Sequence, residues 1–281
     1  MVESTRNSIR RRYQEEINSS ELLRTYKRKS IVPLDEELLN AIKATGLVIA
    51  GGPGTGKSNV AKIISAQLIN APDIQVKITD SCQNWMHEFE LIHYQHINDY
   101  TEVPEDVYFG DKSFLYDLEF TDYEKIQETI GMMISTDFEL QRLFKKKHVM
   151  TNWVIWVIEE AQNVIGSYAL TGKRGKKWLT LISEGRNFNL RFIFIGQRLG
   201  DISAKAVERC QGFLMGKMTG ENDRKKINGM PGAKSFDLGD AVADLELGQF
   251  IYWDGVEPVL LDVPKYAVKT KPILWSGGMG I

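Results

Sequence analysis

Gly51-Gly52-Pro53-Gly54-Thr55-Gly56-Lys57-Ser58 is the stretch that decides the fold. It satisfies the pattern G-x-x-x-x-G-K-[ST] at every fixed position. Glycines let the backbone curl so that successive N–H groups point inward, and such a concave row of donors suits phosphate oxygens. A helix beginning just after the turn adds its positive end to the same anion. Lys57 supplies a cation for the outer phosphates, and the Ser58 hydroxyl a ligand for Mg²⁺. The flanks agree. Leu47-Val48-Ile49-Ala50 is an apolar run closed by glycines, suited to a strand buried on both faces. Val60, Ile63, Ile64 and Leu68 follow at helical spacing. The reading is a site for ATP and Mg²⁺ made by Gly52, Pro53, Gly54, Thr55, Gly56, Lys57, Ser58 and Asn59.

Two more apolar runs end in polar residues. Val154-Ile155-Trp156-Val157-Ile158 leads into Glu159-Glu160. Acids directly after a buried strand sit at its C-terminal end, where ligands bind in open α/β sheets. Beside the strand that enters the glycine turn, Glu159 is expected to hold the Mg²⁺ shell, its length acting through a bound water. Glu160 then activates the attacking water. Phe192-Ile193-Phe194-Ile195 carries Gln197 to the same edge, within reach of a γ-phosphate. Arg186, in Ser183-Glu184-Gly185-Arg186-Asn187, precedes that strand and so emerges at the opposite edge. It is badly placed for its own nucleotide and better placed for a neighbour's, as an arginine finger. The alternatives are a surface arginine paired with Glu184, or Arg191 in the same role unless it caps the sheet edge.

The rest of the chain alternates strands and helices. Ile74, Val76 and Ile78 mark a strand ending at Asp80, and Ser113–Leu118 is a weaker candidate. Tyr123–Phe144 reads as a helix with a break near Ser135-Thr136, and Lys177–Asn187 as another helix. Phe213–Met215 is a short strand, and Phe250–Trp253 with Val259–Asp262 forms a hairpin around Asp254-Gly255. Gly172-Lys173-Arg174-Gly175-Lys176-Lys177 reads as an exposed basic loop. The fold class is therefore α/β. It is a RecA-like P-loop sheet, mostly parallel, with helices on both faces and a C-terminal β-hairpin. Residues 1–44 read as a charged arm or helical extension, and 45–281 as the P-loop domain.

Bulk properties narrow the function. Of 281 residues, 43% are hydrophobic and 26% charged, a globular mix. A net charge of −2 gives no overall attraction to nucleic acid, so a basic surface must be local, as at Arg10–Arg12, Lys145–Lys147 and Lys173–Lys177. No apolar run approaches the roughly 20 residues that span a bilayer. Cys82 and Cys210 read as free thiols of a reducing compartment, and His93 and His96 lack a second ligand pair.

The P-loop, the Ile-Glu-Glu-Ala-Gln segment at 158–162 and Glu184-Gly185-Arg186 with Arg191-Phe192-Ile193-Phe194-Ile195-Gly196-Gln197-Arg198 together resemble the HerA–FtsK superfamily. Leu245-Glu246-Leu247-Gly248-Gln249-Phe250 resembles its late glycine-then-strand segment. Gln162 departs from the histidine often found there. A bare motor with a short N-terminal arm is similar to the genome-packaging ATPases of membrane-containing double-jelly-roll viruses. The resemblance implies an ATP-driven translocase of double-stranded DNA working as a homo-oligomeric ring, a hexamer. It also implies docking to a capsid or portal component, and a place in the host cytoplasm or the virion. The alternative is an ATPase that drives protein assembly without moving DNA.

Overall fold

The computed structural model describes residues 23–31, 36–82, 84–85, 89, 92–99, 112–119, 122–166, 172–266 and 273–274. Their centre is a block of parallel strands: β2 (Leu47–Ala50), β3 (Ile74–Asp80), β4 (His93–Ile97), β5 (Phe114–Leu118), β6 (Trp153–Ile158), β7 (Leu190–Gly196) and β8 (Gly212–Gly216). Two edges extend it. β9 (Gln249–Trp253) and β10 (Val259–Asp262) are the expected hairpin, antiparallel to each other, with β9 antiparallel to β8. β1 (Lys27–Ser30) adds in parallel beyond β10, and β11 (Ile273–Leu274) beyond β4. The full order is β1-β10-β9-β8-β2-β7-β6-β3-β5-β4-β11.

Parallel strands are covered on both faces, so each reads as an unbroken apolar run whose alternate residues enter different layers. Val48 and Ala50 join one core with Phe192, Phe194, Trp156 and Ile158. Leu47 and Ile49 join the other with Ile193, Ile195, Ile155 and Val157. Helices α1 (Glu36–Thr45) and α2 (Lys57–Ile69) bury Ile42, Ile63 and Ile64 in the second layer. α3 (Tyr123–Lys146) and α5 (Gly172–Gly185) pack on the first, beside the one-turn α4 (Gln162–Ile165). Among the described residues no helix is long and apolar enough to cross a membrane.

Several expectations change. Residues 27–31 and 36–45 belong to the sheet and its covering layer: β1 pairs with β10, and α1 buries Leu38 and Ile42. The described part of the stretch read as an arm is therefore sheet and covering helix, while Arg10–Arg12 lie outside the described residues. The basic segment at Gly172 opens α5 rather than forming a loop. β6 is not beside β2, because β7 lies between them; two strand spacings set the acids roughly 10 Å along the sheet edge from the P-loop strand.

The helix break near Ser135-Thr136 is absent because both hydroxyls fold back onto the helix: Thr136 Oγ1 donates to Met132 O at 3.1 Å, and Ser135 Oγ donates to Gly131 O. That keeps α3 continuous past Asp137, which is 3% exposed. Asp137 accepts from Lys77 Nζ of β3 at 2.7 Å and from Trp156 Nε1 of β6 at 2.8 Å. A charge this deep is tolerable only while its partners remain. Asp137→Ala is expected to cost about 3–5 kcal/mol in denaturant unfolding. The double variant Lys77→Met with Asp137→Leu should recover most of that loss, and equal losses in both would show that the ion pair is not the cause.

Candidate active site

The P-loop joins β2 to α2 through backbone that only glycine adopts without strain: φ is +75° at Gly54 and +96° at Gly56. A Cβ built on Gly54 would meet nothing within 4 Å, so the loop faces open space there. Helix N-termini leave four N–H groups without helical partners, normally answered by a Ser, Asp or Thr cap. α2 has no side-chain cap at Gly56 and no acidic residue in its first turn. Its exposed donors and positive end therefore suit an anion. Thr55 Oγ1 donates to Gly52 O at 2.8 Å, bracing the turn from within. Lys57 Nζ donates to the same carbonyl at 2.9 Å. Burial lowers the Lys57 pKa, and Glu160 and then Glu159 oppose that shift.

Asn59 stands apart from the residues read as nucleotide ligands. Its Nδ2 donates to Pro264 O at 2.9 Å and its Oδ1 accepts from Tyr266 N at 2.6 Å. The side chain ties α2 to the segment after the hairpin, which leaves only its backbone for a nucleotide.

The acids meet the P-loop across the sheet edge. Ser58 Oγ donates to Glu159 Oε1 at 3.0 Å, and Trp85 Nε1 donates to Glu159 Oε2 at 2.8 Å. Burial first, and then the neighbouring Asp80 charge, raises the Glu159 pKa to about 7. A hydroxyl and a carboxylate in contact are the hard oxygen donors Mg²⁺ takes; it draws few ligands from protein and the rest from phosphate and water. Ser58 and Glu159 thus fit the ion.

Glu160 follows in the left-handed region, φ +47°, unusual for a residue with a side chain. That turn sends its carboxylate away from the path of Glu159. Gln162 Nε2 donates to Glu160 Oε2, and Gln197 Nε2 lies 3.5 Å from both carboxylate oxygens. Gln162 is therefore a direct partner of the second acid. Gln197 reaches the site because Ala50 pairs with Gly196 and Ile158 with Phe194, so β2, β7 and β6 end together.

Arg186 lies elsewhere. It opens an exposed 3₁₀ turn (Arg186–Phe188) before β7, on the N-terminal side of the sheet. The seven residues of β7 span roughly 23 Å, which puts it beyond reach of the P-loop of its own chain. No ion pair joins it to Glu184 among the described residues. Arg191 is a structural cap: it is 5% exposed, stacks 4.7 Å over Trp153, and donates to Lys43 O, Gly185 O and Leu190 O. Sequence reading missed Trp85 and Asp80 as site neighbours; the one local signal was a strand ending in a carboxylate.

Lys57→Ala removes the only lysine of the loop. It is expected to weaken nucleotide binding by about 1.5–3 kcal/mol, ten- to 150-fold, the worth of hydrogen bonds to charged groups. Titration calorimetry with a non-hydrolysable ATP analogue checks this, and wild-type affinity would remove Lys57 from the site.

No protein-family model matches the chain, and no curated protein sequence matches it either. Solved structures match its fold. The genome packaging NTPase B204 of Sulfolobus turreted icosahedral virus 2, in complex with AMPPCP, superposes with a TM-score of 0.58 at 16% identity, covering 83% of this chain and all of that one (100%). The pCW3 conjugation coupling protein TcpA gives 0.50 at 13%, over 80% of this chain and 62% of its own. ATPases 2 and 3 of EssC from Geobacillus thermodenitrificans give 0.51 at 11%, over 81% and 40%. At these identities the shared property is architecture: the chain has the mostly parallel P-loop ATPase fold found in B204, TcpA and EssC.

Proposed function

We propose that the chain is an ATP-hydrolysing motor that translocates double-stranded DNA, packaging a viral genome as a ring of identical subunits. The observation that carries hydrolysis is the pair of contacts at one sheet edge, Ser58 to Glu159 and Gln197 to Glu160. In this reading the P-loop amides and Lys57 hold the phosphates, while Ser58 and Glu159 hold Mg²⁺, which neutralises phosphate charge when bound. Glu160 accepts the proton of the attacking water. Gln197, bonded to that carboxylate and exposed, responds to the γ-phosphate. Gln162, from α4, also bonds that carboxylate, so the base is oriented from a helix and from the end of β7.

The DNA part is supported by the fold shared with a genome packaging NTPase and by exposed basic residues. Lys145, Lys146 and Lys147 end α3, and Lys176 and Lys177 lie on the first turns of α5. Contacts of this kind go to phosphates, carry no sequence preference and weaken steeply with salt. The test is the ATPase rate with and without double-stranded DNA across a salt series, beside a measurement of oligomeric mass. Stimulation at low salt by a hexameric species supports the reading. ATP hydrolysis unaffected by DNA at any salt would favour a motor that remodels protein.

A further inference from the structure

Glu159 is held at both carboxylate oxygens, and the second partner comes from an unexpected place. Trp85 lies in the connection after β3, 74 residues before Glu159, and is fully buried at 0% exposure. A buried indole must give its single N–H to an acceptor. Here that acceptor is the Glu159 carboxylate at 2.8 Å. The backbone behind Trp85 is fixed as well. Asp80, the last residue of β3, accepts from the N–H groups of Cys82 at 3.3 Å, Asn84 at 3.1 Å and Trp85 at 2.7 Å. The ring stacks on Phe89, centroids 5.9 Å apart. Lys62 of α2 sits 5.8 Å over the indole and donates to Asn84 O at 2.7 Å, which ties the same turn to the P-loop helix.

We propose that Trp85 is a positioning residue of the hydrolytic site: its indole N–H holds Glu159 in the rotamer that meets Ser58. The need follows from the side chain itself. A glutamate has one more rotatable bond than the aspartate commoner at this position, and a lone bond from Ser58 would leave Oε2 free to swing. Fixing a glutamate costs rotamer entropy, and productive constellations tolerate only about 0.5 Å of drift. Donating from the protein interior, Trp85 meets that cost before nucleotide arrives. It lies behind Glu159 and acts through it. The inference rests on reading Ser58 and Glu159 as the Mg²⁺ site.

The experiment uses Trp85→Phe, which keeps an aromatic ring for the stack on Phe89 and deletes only the N–H. Partners behind a metal ligand are worth about 10–100-fold in metal affinity or activity. The variant should lose about tenfold in kcat, with KM for ATP within about twofold. Mn²⁺ affinity of the analogue-bound protein, read by electron paramagnetic resonance, should fall about tenfold, while analogue binding in EDTA stays at the wild-type value. Wild-type kcat and Mn²⁺ affinity in Trp85→Phe would overturn the proposal.

A second measurement needs no change at Trp85. Of six tryptophan indole N–H resonances, one should move on Glu159→Gln. The same resonance should move again when Mg²⁺ is added to the nucleotide-bound wild type, and stay in place when nucleotide is added in EDTA. Absence of any such resonance overturns the proposal even where Trp85→Phe fails to fold. Failure of the underlying site reading looks different: Lys57→Ala would then bind and hydrolyse ATP normally, whatever Trp85 does.

Discussion

Replacing Arg186 with alanine is expected to lower ATP turnover by about 10³–10⁵-fold, the contribution of an arginine finger, although Arg186 lies far from the nucleotide of its own chain. The structure supports that combination. Arg186 is exposed on the N-terminal side of β7, and the P-loop opens from the C-terminal end of the neighbouring β2. The two lie on opposite edges of one sheet, a placement that a head-to-tail ring can bring together between neighbours. Arg191 no longer competes for the role, because its guanidinium is spent on three backbone carbonyls beneath the surface. The decisive measurement mixes subunits. Arg186→Ala and Glu160→Gln proteins should each be inactive, and rings assembled from both should regain part of the wild-type rate at interfaces pairing an intact Glu160 with an intact Arg186. No recovery, in rings shown by mass to be mixed, would make Arg186 structural or place its action within one subunit.

Glu160→Gln is expected to cost about 10²–10⁴-fold in kcat, the range of general acid–base contributions. The amide keeps the length and shape of the side chain, so its neighbours Gln162 and Gln197 remain in place, but it no longer accepts a proton from water. Nucleotide and Mg²⁺ binding should persist, because Lys57, Ser58 and Glu159 are untouched. Single-turnover kinetics beside equilibrium binding separates the two effects. A variant in which Glu159→Gln stalled turnover with binding intact, while Glu160→Gln did not, would exchange the roles of the acids. Position 159 is the less suited to the base: it is buried, held between Ser58 and Trp85, whereas Glu160 is half-buried and open to water.

What could be read from the sequence follows from how each feature is encoded. The P-loop, the acid pair and Gln197 are short contiguous motifs on strands buried from both sides, and unbroken apolar runs such as Trp153–Ile158 announce such strands directly. The hairpin was legible because Asp254-Gly255 separates two β-rich runs. Strands at and next to the edges of the sheet were not. β1 reads Lys27-Arg28-Lys29-Ser30, charged as befits an exposed edge, and β4 mixes His93, Gln95 and His96 with apolar residues. The order of strands was also out of reach, so the separation of β6 from β2 by β7 needed the sheet itself. Trp85 was hidden for a related reason: its hydrogen bond to Glu159 joins the connection after β3 to the end of β6, which become neighbours only when β3 pairs with β6. Ser135-Thr136 misled because hydroxyl side chains favour breaks on average, whereas these two bond back within their own helix.

The backbone at Glu160 carries a consequence for variation at this site. A left-handed conformation costs a residue with a Cβ about 1–2 kcal/mol, and this one sits beside a second carboxylate. Glycine would adopt that conformation freely, and asparagine more readily than glutamate. Selection for thermal tolerance alone would therefore drift away from glutamate at position 160. Selection for nucleotide hydrolysis would hold it there, and a thermostable laboratory lineage of this protein is one to check first for lost turnover.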